Sequence, residues 1–278
     1  IFVTYLYYLT VKGLPIVAQK SVLIPTAHDE PFLELHIYRK VFESPAAYIF
    51  LTEEERELVN RKFNVEHIFS RIAAAGIDVP DDVQKDRFIR KYHITFPFIV
   101  YVGRIDPCKD CQWMFQYFET YKERNPASPL RLVLMGKAVM DIPDRKDIIS
   151  LGFVSEEDKY DGIAASEFLI LPSALESLSI SVLEAMSLGK AVVVNGKCEV
   201  LKGHCLKSNA GLYYDDYFEF EGVLNYLQDH PDIRPVLERN AVKYVEENYR
   251  WDSILKRFDE VIDYVCRGNA RETEERID

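Results

Sequence analysis

The chain alternates short runs of β-branched and aromatic residues with longer helical patterns, and this alternation restricts its fold more than any other feature. The short runs include "AAYIFLT", "FIVYVGR", "LRLVLMG", "FLILPS" and "AVVVNG". Strands that alternate with helices are typical of a parallel sheet covered by helices on both faces. The sequence therefore predicts an α/β fold with doubly wound, Rossmann-like parallel sheets.

These patterns form two series that differ in completeness. Residues 1–80 contain only two or three predicted strands, in "KSVLIPT", "AAYIFLT" and "IFSRIAAAGIDVP", whereas residues 97–250 contain a full doubly wound unit. The most charged stretch, residues 81–96, is predicted to be the linker. A Rossmann-type domain normally has more strands than the first series. We therefore expect residues 1–80 to be the carboxyl-terminal part of an N-terminal domain. Residues 251–278 read as a last helix and a polar tail.

Composition argues against nucleic acid as a partner and against a membrane-spanning segment. The net charge of the 278 residues is −11, and no run of Lys and Arg with interleaved aromatic residues is present. Nucleic acid is therefore not expected as a partner. No stretch reaches the roughly 20 apolar residues of a membrane span, and residues 1–15 lack the pattern of a signal peptide. We predict a soluble, cytoplasmic protein without a transmembrane segment, which leaves room for peripheral contact with a membrane.

Five cysteines are present: Cys108, Cys111, Cys198, Cys205 and Cys266. An odd number in a chain of this size favours reduced thiols over disulfides. The alternative is a zinc site formed by the CxxC of "PCKDC" with Cys198 and Cys205. The second pair is spaced too widely for a usual zinc knuckle, so no metal site is predicted.

Cationic residues follow the strand "FIVYV". Gly103 and Arg104 come directly after it, and Lys109 follows five residues later. In open α/β sheets ligands bind beyond the carboxyl ends of the strands, where a glycine lets the backbone approach a ligand. Arg and Lys at this place suit a phosphate, although surface charges at a helix start would look the same.

A pair of glutamates follows the strand "FLILPS". Glu176 falls in the loop, and a helix predicted to begin near Ser179 leaves the N–H groups of Leu178, Ser179 and Ile180 free to bind an anion such as a diphosphate. Glu184 lies further along this helix among apolar residues, and a carboxylate in such surroundings needs a partner. Each glutamate alone would read as a helix-end or surface charge.

Several segments together resemble a known family. E-x7-E in "ESLSISVLEAMSLGKAVVV", preceded by "GFVSEEDKYDGIAASEFLILPS" and "YVGRIDPCK", is similar to the C-terminal domain of the retaining GT-B glycosyltransferases (glycosyl transferases group 1), the glycogen synthase and phosphatidylinositol mannosyltransferase type. "IPTAHDEPFLEL" through "AAAGIDVP" resembles the end of the N-terminal domain of that family. "YVEENYRWDSILKRFDEVI" resembles its final crossover helix.

The resemblance implies roles at the donor. It implies that Arg104 and Lys109 hold the diphosphate, that Glu176 lies near the transferred sugar, and that Glu184 binds the ribose of the nucleotide. The backbone around Phe153 and Val154 corresponds to the nucleobase pocket.

Three further positions are singled out by the resemblance. His28 corresponds to a histidine that faces the reacting centre, although a structural role is also open for a lone histidine. Asp110 stands where the family commonly has glycine after the lysine, which puts an anion near the diphosphate. Ser179 stands where the family often has glycine, and its side chain leaves less room for the donor to approach the backbone.

The expected function is glycosyl transfer from a nucleotide-diphosphate sugar to a carbohydrate or lipid-linked acceptor with retention of configuration. No cofactor is expected besides this donor substrate, and no DxD motif stands at a strand end. The alternatives are a GT-B sugar-nucleotide epimerase or phosphorylase, or a non-catalytic sugar-nucleotide-binding domain. The nucleobase, the sugar and the acceptor stay open.

Overall fold

A computed structural model describes residues 1–274, including the side chains of residues 1–268. Its contacts divide the chain into two compact units. Unit 1 is Ile1–Gly76 together with the chain from Asn248 onward, and unit 2 is Ile77–Glu247. The last four residues of the predicted polar tail, 275–278, lie outside the described residues. The preceding residues of that tail continue the last helix.

Unit 1 is built on a parallel sheet of four strands in the order β1-β2-β3-β4, where two or three strands had been predicted. Its elements are β1 (Phe2–Val3), α1 (Tyr8–Gly13), β2 (Val22–Ile24), α2 (His36–Glu43), β3 (Ala47–Phe50), α3 (Glu53–Phe63), β4 (Phe69–Ile72) and α11 (Trp251–Glu274).

The two inner strands of unit 1, β2 and β3, are buried on both faces. Tyr48 and Phe50 of β3 pack into a cluster with residues of α2 and α3, whereas Ile49 between them joins a second cluster with Val261 and Val265 of α11. Successive side chains of a strand point to opposite faces, so a strand covered on both sides is apolar throughout. This is why "AAYIF" reads as a continuous apolar run.

Unit 2 contains a parallel sheet of six strands and seven helices. Its elements are α4 (Lys85–Lys91), β5 (Phe98–Val102), α5 (Cys111–Arg124), β6 (Arg131–Met135), β7 (Ile148–Ser150), α6 (Glu156–Ala165), β8 (Phe168–Leu171), α7 (Ile180–Ser187), β9 (Val192–Asn195), α8 (Glu199–Ser208), β10 (Gly211–Tyr214), α9 (Tyr217–Asp229) and α10 (Arg234–Asn248).

The strand order in unit 2 is β10-β9-β8-β5-β6-β7. The chain runs outward from β5 in one direction through β6 and β7, and then returns to β8 on the other side of β5. The order therefore reverses between β5 and β8, which are paired in parallel at Ile99↔Phe168 and Val100↔Leu169. Ligands of doubly wound folds bind at such a reversal. The predicted α/β fold with parallel sheets is confirmed.

The segment predicted to be a linker contains α4, which lies within unit 2. Phe88 of α4 is fully buried, and Arg87 forms a salt bridge with the buried Asp161 of α6. Lys91 of α4 forms a second salt bridge with Asp158 of α6, at 2.7 Å. The charges that made this stretch look like a linker are thus the charges that attach it to α6. Helix α8 was also not predicted.

Among residues 1–274, no helix combines the length and the apolar character needed to cross a membrane. The predicted cytoplasmic location stays a prediction.

A carboxyl group, Glu55, lies fully buried in unit 1 at the start of α3. Its Oε1 accepts a hydrogen bond from the N–H of Ala27 and its Oε2 one from the N–H of Leu51, both at 2.6 Å. Burial raises the pKa of the Glu55 carboxyl to about 8, although the backbone N–H donors act in the opposite direction. Glu55 therefore joins the loop after β2 to the loop after β3.

This geometry predicts a pH-dependent stability. The folded protein keeps the proton of Glu55 up to about pH 8, whereas an unfolded glutamate loses it near pH 4.5. The native state therefore binds more protons in this window, and the free energy of unfolding should fall as the pH rises through it. Urea denaturation at about pH 5 and about pH 8 should show a smaller fall for Glu55→Gln than for the wild type. Glu57→Gln, on the exposed side of α3, should keep the wild-type fall; an equal fall in Glu55→Gln would contradict this prediction.

Candidate functional site

Two loops of unit 2 meet at the carboxyl ends of adjacent strands. The β5–α5 loop carries Gly103, Arg104 and Lys109, and the β8–α7 loop carries Glu176 and Ser179. Because β5 and β8 are parallel and paired, both loops leave the same edge of the sheet.

The first loop begins with a close approach between two glycines. Gly103 and Gly136 follow the neighbouring strands β5 and β6 with φ angles of +152° and +154°. A Cβ atom at Gly136 would lie 1.8 Å from the carbonyl oxygen of Gly103, so no side chain fits there. The hydroxyl of Tyr101 donates a hydrogen bond of 2.7 Å to the carbonyl of Arg104 and holds the turn.

The structure brings Lys109 and Glu176 together across the two loops. Nζ of Lys109 donates to Oε1 of Glu176 at 2.6 Å, and both side chains are partly exposed. The guanidinium group of Arg104 is more exposed and forms an ion pair of 2.7 Å with Asp106. The pKa of the Asp106 carboxyl is lowered, mainly because it accepts a hydrogen bond from the N–H of Cys108. The positive charges of Arg104 and Lys109 act in the same direction.

Asp110 takes the left-handed conformation, with φ +57°, directly before α5, a conformation that glycine adopts without steric cost. The expected effect of its charge on a diphosphate stays a prediction. Oδ2 of Asp110 accepts a hydrogen bond of 2.7 Å from the N–H of Ala174 in the second loop. The carboxylate therefore links the two loops.

The second loop carries two buried hydroxyl groups without partners. Oγ of Ser173 and Oγ of Ser179 are enclosed and make no hydrogen bond within the described residues. Ser179 precedes α7 with φ +65°, in the left-handed region. Unsatisfied hydroxyls beside the N–H groups at the start of α7 suit an oxygen-rich ligand.

Side chains from neighbouring elements hold this second loop by its carbonyl groups. Nδ2 of Asn195, at the end of β9, donates to the carbonyl of Pro172 at 2.8 Å. Nε2 of the fully buried His204 in α8 lies 2.8 Å from the carbonyl of Leu178. Since a carbonyl oxygen only accepts, Nε2 carries the proton in this contact. The loop is therefore set before any ligand arrives.

Glu184 lies in α7 and is almost completely buried. Its Oε1 accepts one hydrogen bond from Nζ of Lys159 and one from the hydroxyl of Tyr160, each at 2.9 Å. Both donors belong to α6. The partner that a carboxylate in an apolar helix needs is thus a lysine–tyrosine pair.

The remaining predicted donor residues differ in exposure. The Phe153 ring, after β7, is 88% exposed, and Val154 is half-buried. Leu178 is buried and Ile180 is exposed. An exposed aromatic ring of this size is available for stacking.

His28 lies in unit 1, in the loop that follows β2. Its Nδ1 is 3.1 Å from Oε1 of Glu30, but it is not oriented for a hydrogen bond. The same oxygen of Glu30 accepts a hydrogen bond from Tyr5 at 2.7 Å. The role expected for His28 stays a prediction.

All five cysteines are free thiols; Cys111, Cys198 and Cys205 are buried, and Cys108 and Cys266 are exposed. In the part of the chain that the structure describes, no three His, Cys, Asp or Glu side chains cluster in a way that could hold a metal ion.

Sequence reasoning missed several of these groups. Asn195 is the last residue of β9, so a search for polar residues at the carboxyl ends of strands, which found Arg104 and Glu176, could also have found it. Lys159, Tyr160 and His204 lie within helices and carry no local signal, because their role depends on which loop or helix packs beside them.

The left-handed Ser179 predicts a stabilising substitution. A non-glycine residue in this conformation costs about 1 kcal/mol, and Ser179→Gly removes both that cost and an unpartnered hydroxyl. Ser179→Ala removes the hydroxyl only. We expect the free energy of unfolding in urea to be higher for Ser179→Gly than for Ser179→Ala by about 1 kcal/mol. A glycine variant less stable than the alanine variant would show that the backbone at Ser179 is not strained.

The family model described as "Glycosyl transferases group 1" matches residues 96–216. Among curated proteins, an uncharacterized glycosyltransferase of Methanocaldococcus jannaschii is 28% identical over 171 residues, which cover 57% of this chain and 42% of that protein. The alpha-D-kanosaminyltransferase of Streptomyces kanamyceticus is 24% identical over 234 residues, which cover 78% of this chain and 58% of that protein. The chain thus spans about half the length of the curated relatives it matches.

Two solved structures are similar in fold. Sucrose-phosphate synthase from Thermosynechococcus elongatus matches with a TM-score of 0.70 and 15% identity over 88% of this chain and 68% of that one. Anabaena HepE, solved in complex with UDP-glucose, matches with a TM-score of 0.72 and 14% identity over 87% of this chain and 71% of that one. The family match identifies residues 96–216 as a glycosyl transferases group 1 domain, and the two structural likenesses show that the fold is of the GT-B type.

Proposed function

We propose that this protein transfers a sugar from a nucleotide-diphosphate sugar to a carbohydrate or lipid-linked acceptor, with retention of anomeric configuration. The donor would lie along the carboxyl edge of the sheet in unit 2, across the β5–α5 and β8–α7 loops. No cofactor besides the donor substrate is proposed.

One observation carries this proposal: the contact between Lys109 and Glu176 beside the start of α7. It joins a cation suited to a phosphate and a carboxylate suited to sugar hydroxyls across the reversal between β5 and β8. The unpartnered hydroxyls of Ser173 and Ser179 lie on the same loop as Glu176. A ligand with both an anionic and a hydroxyl-bearing part fits this combination.

The proposed step breaks the bond between the anomeric carbon and the diphosphate oxygen. Negative charge then grows on the leaving diphosphate, where Lys109, Arg104 and the N–H groups at the start of α7 would stabilise it. The acceptor hydroxyl attacks from the face that the diphosphate leaves, and its proton passes to the diphosphate. The new bond joins the acceptor oxygen to the anomeric carbon, so the configuration is retained.

The other residues would orient the donor. Glu184 would accept a hydrogen bond from the ribose, and the exposed ring of Phe153, with the backbone of Val154, would border the nucleobase. Glu176 would hold hydroxyl groups of the transferred sugar. Glu176 also forms an ion pair with Lys109, so donor binding would exchange this pair for one between Lys109 and the diphosphate.

That exchange predicts a separation between binding and turnover. In Glu176→Gln the ammonium of Lys109 loses its ionic partner, so nucleoside diphosphate should bind as tightly as in the wild type or more tightly. Nucleotide release from UDP-, GDP- or ADP-glucose should fall by about 100-fold, because the sugar is no longer held. In Lys109→Met, diphosphate affinity should fall by about tenfold. Calorimetry measures the affinity and a coupled nucleotide assay the release.

Lys146→Met, at an exposed lysine in the loop before β7, serves as the control and should change neither quantity. The absence of binding and turnover with every donor would refute the proposed function. Unchanged diphosphate affinity in Lys109→Met would refute the role of that residue.

A further inference from the structure

Glu184 differs from an ordinary ligand-binding carboxylate because one of its two oxygens already accepts hydrogen bonds within the protein. Oε1 accepts hydrogen bonds from both Lys159 and Tyr160. Oε2 accepts none from the described residues, and it is not among the enclosed atoms that lack a partner. The two oxygens therefore have different surroundings, and Oε2 is the one available to accept a hydrogen bond from a ligand.

Further contacts keep the side chain of Lys159 in place, and both donors stay protonated. Nζ of Lys159 also pairs with Glu156 at 2.7 Å and lies 4.2 Å from the centre of the Tyr160 ring. Burial alone would lower the pKa of Lys159, but hydrogen bonds to Glu156 and Glu184 outweigh it and raise that pKa. Burial and the bond to Glu184 raise the pKa of Tyr160. Both groups therefore stay protonated and donate throughout the neutral pH range.

Helix α6, which carries these donors, is fixed at its other side by α4. Asp158 accepts from Lys91 and from the hydroxyl of Ser155, the residue that caps α6. Asp161 accepts from Arg87 and from the N–H of Gln84. Residues at these spacings lie on a different side of the helix from the pair that contacts Glu184. The ion pairs with α4 thus set the position of α6, and α6 sets the position of the carboxylate.

We infer that Lys159 and Tyr160 are positioning residues that hold Oε1 of Glu184, so that Oε2 is presented to a hydroxyl group of the donor's ribose. This inference rests on the proposed function and goes beyond it. Neither residue touches the ribose itself. Both act by keeping Glu184 in one rotamer, which removes the ordering cost from donor binding.

The test couples the protein substitution to a change in the ligand. The probe is whichever of UDP, GDP and ADP binds most tightly, compared with its 2′-deoxy and 3′-deoxy analogues by calorimetry. For the wild type, at least one analogue should bind about tenfold more weakly than the parent, since a hydrogen bond to a carboxylate is lost. In Lys159→Met this ratio should fall below about threefold, because a mobile carboxylate gains less from the hydroxyl. Tyr160→Phe should give an intermediate ratio.

Two comparisons separate positioning from loss of structure. Lys159→Arg, which keeps a charged donor, should restore most of the discrimination, and Lys243→Met, on the exposed side of α10, should keep the wild-type ratio. Turnover at saturating donor should change less than KM in Lys159→Met.

Two results would overturn the inference. One is a wild-type ratio in both Lys159→Met and Tyr160→Phe at unchanged thermal unfolding temperature. The other is a wild type that binds the parent nucleotide and both analogues equally. Failure of every nucleotide to bind the wild type would instead overturn the proposed function, and the inference with it.

Discussion

The parallel pairing of β5 with β8 is the constraint on which the candidate site depends. These strands are far apart in the chain, and their pairing places the loop with Arg104 and Lys109 beside the loop with Glu176 and Ser179. The two loops are then joined by direct contacts, from Lys109 to Glu176 and from Asp110 to the N–H of Ala174. Ligands of doubly wound folds bind where the strand order reverses in this way.

Hydrogen bonds and ion pairs from neighbouring elements hold the groups at this edge in position. Asn195 and His204 hold the carbonyls of the β8–α7 loop, so the loop that carries Glu176 does not rely on a ligand for its conformation. On the other side, α4 holds α6 through ion pairs to buried aspartates, and α6 holds Glu184. Ser179, in the left-handed conformation, and the unpartnered hydroxyls of Ser173 and Ser179 lie in the β8–α7 loop. Strained backbone of this kind is often found at functional sites.

The residues that follow the strands were the part of the site that the sequence could predict best. Arg104, Lys109 and Glu176 lie in the loops that follow two apolar runs, and the edge at which parallel strands end is known once the strands are recognised. Asp110 and the α4 segment were harder. A carboxylate after a lysine reads as an added negative charge, and a charged stretch reads as a linker, because sequence does not show which buried N–H or aspartate such a group will meet.

The sequence by itself determined the α/β class, the parallel sheets and the choice of residues at two strand ends, since these follow from the periodicity of apolar residues and from the chain direction. Only the tertiary structure decided which groups became partners: Lys109 with Glu176, Asp110 with Ala174, and Lys159 and Tyr160 with Glu184. Local periodicity places a residue on a face or at an end, but a hydrogen bond depends on the separation of two atoms to within a few tenths of an ångström, and that is set by how distant elements pack.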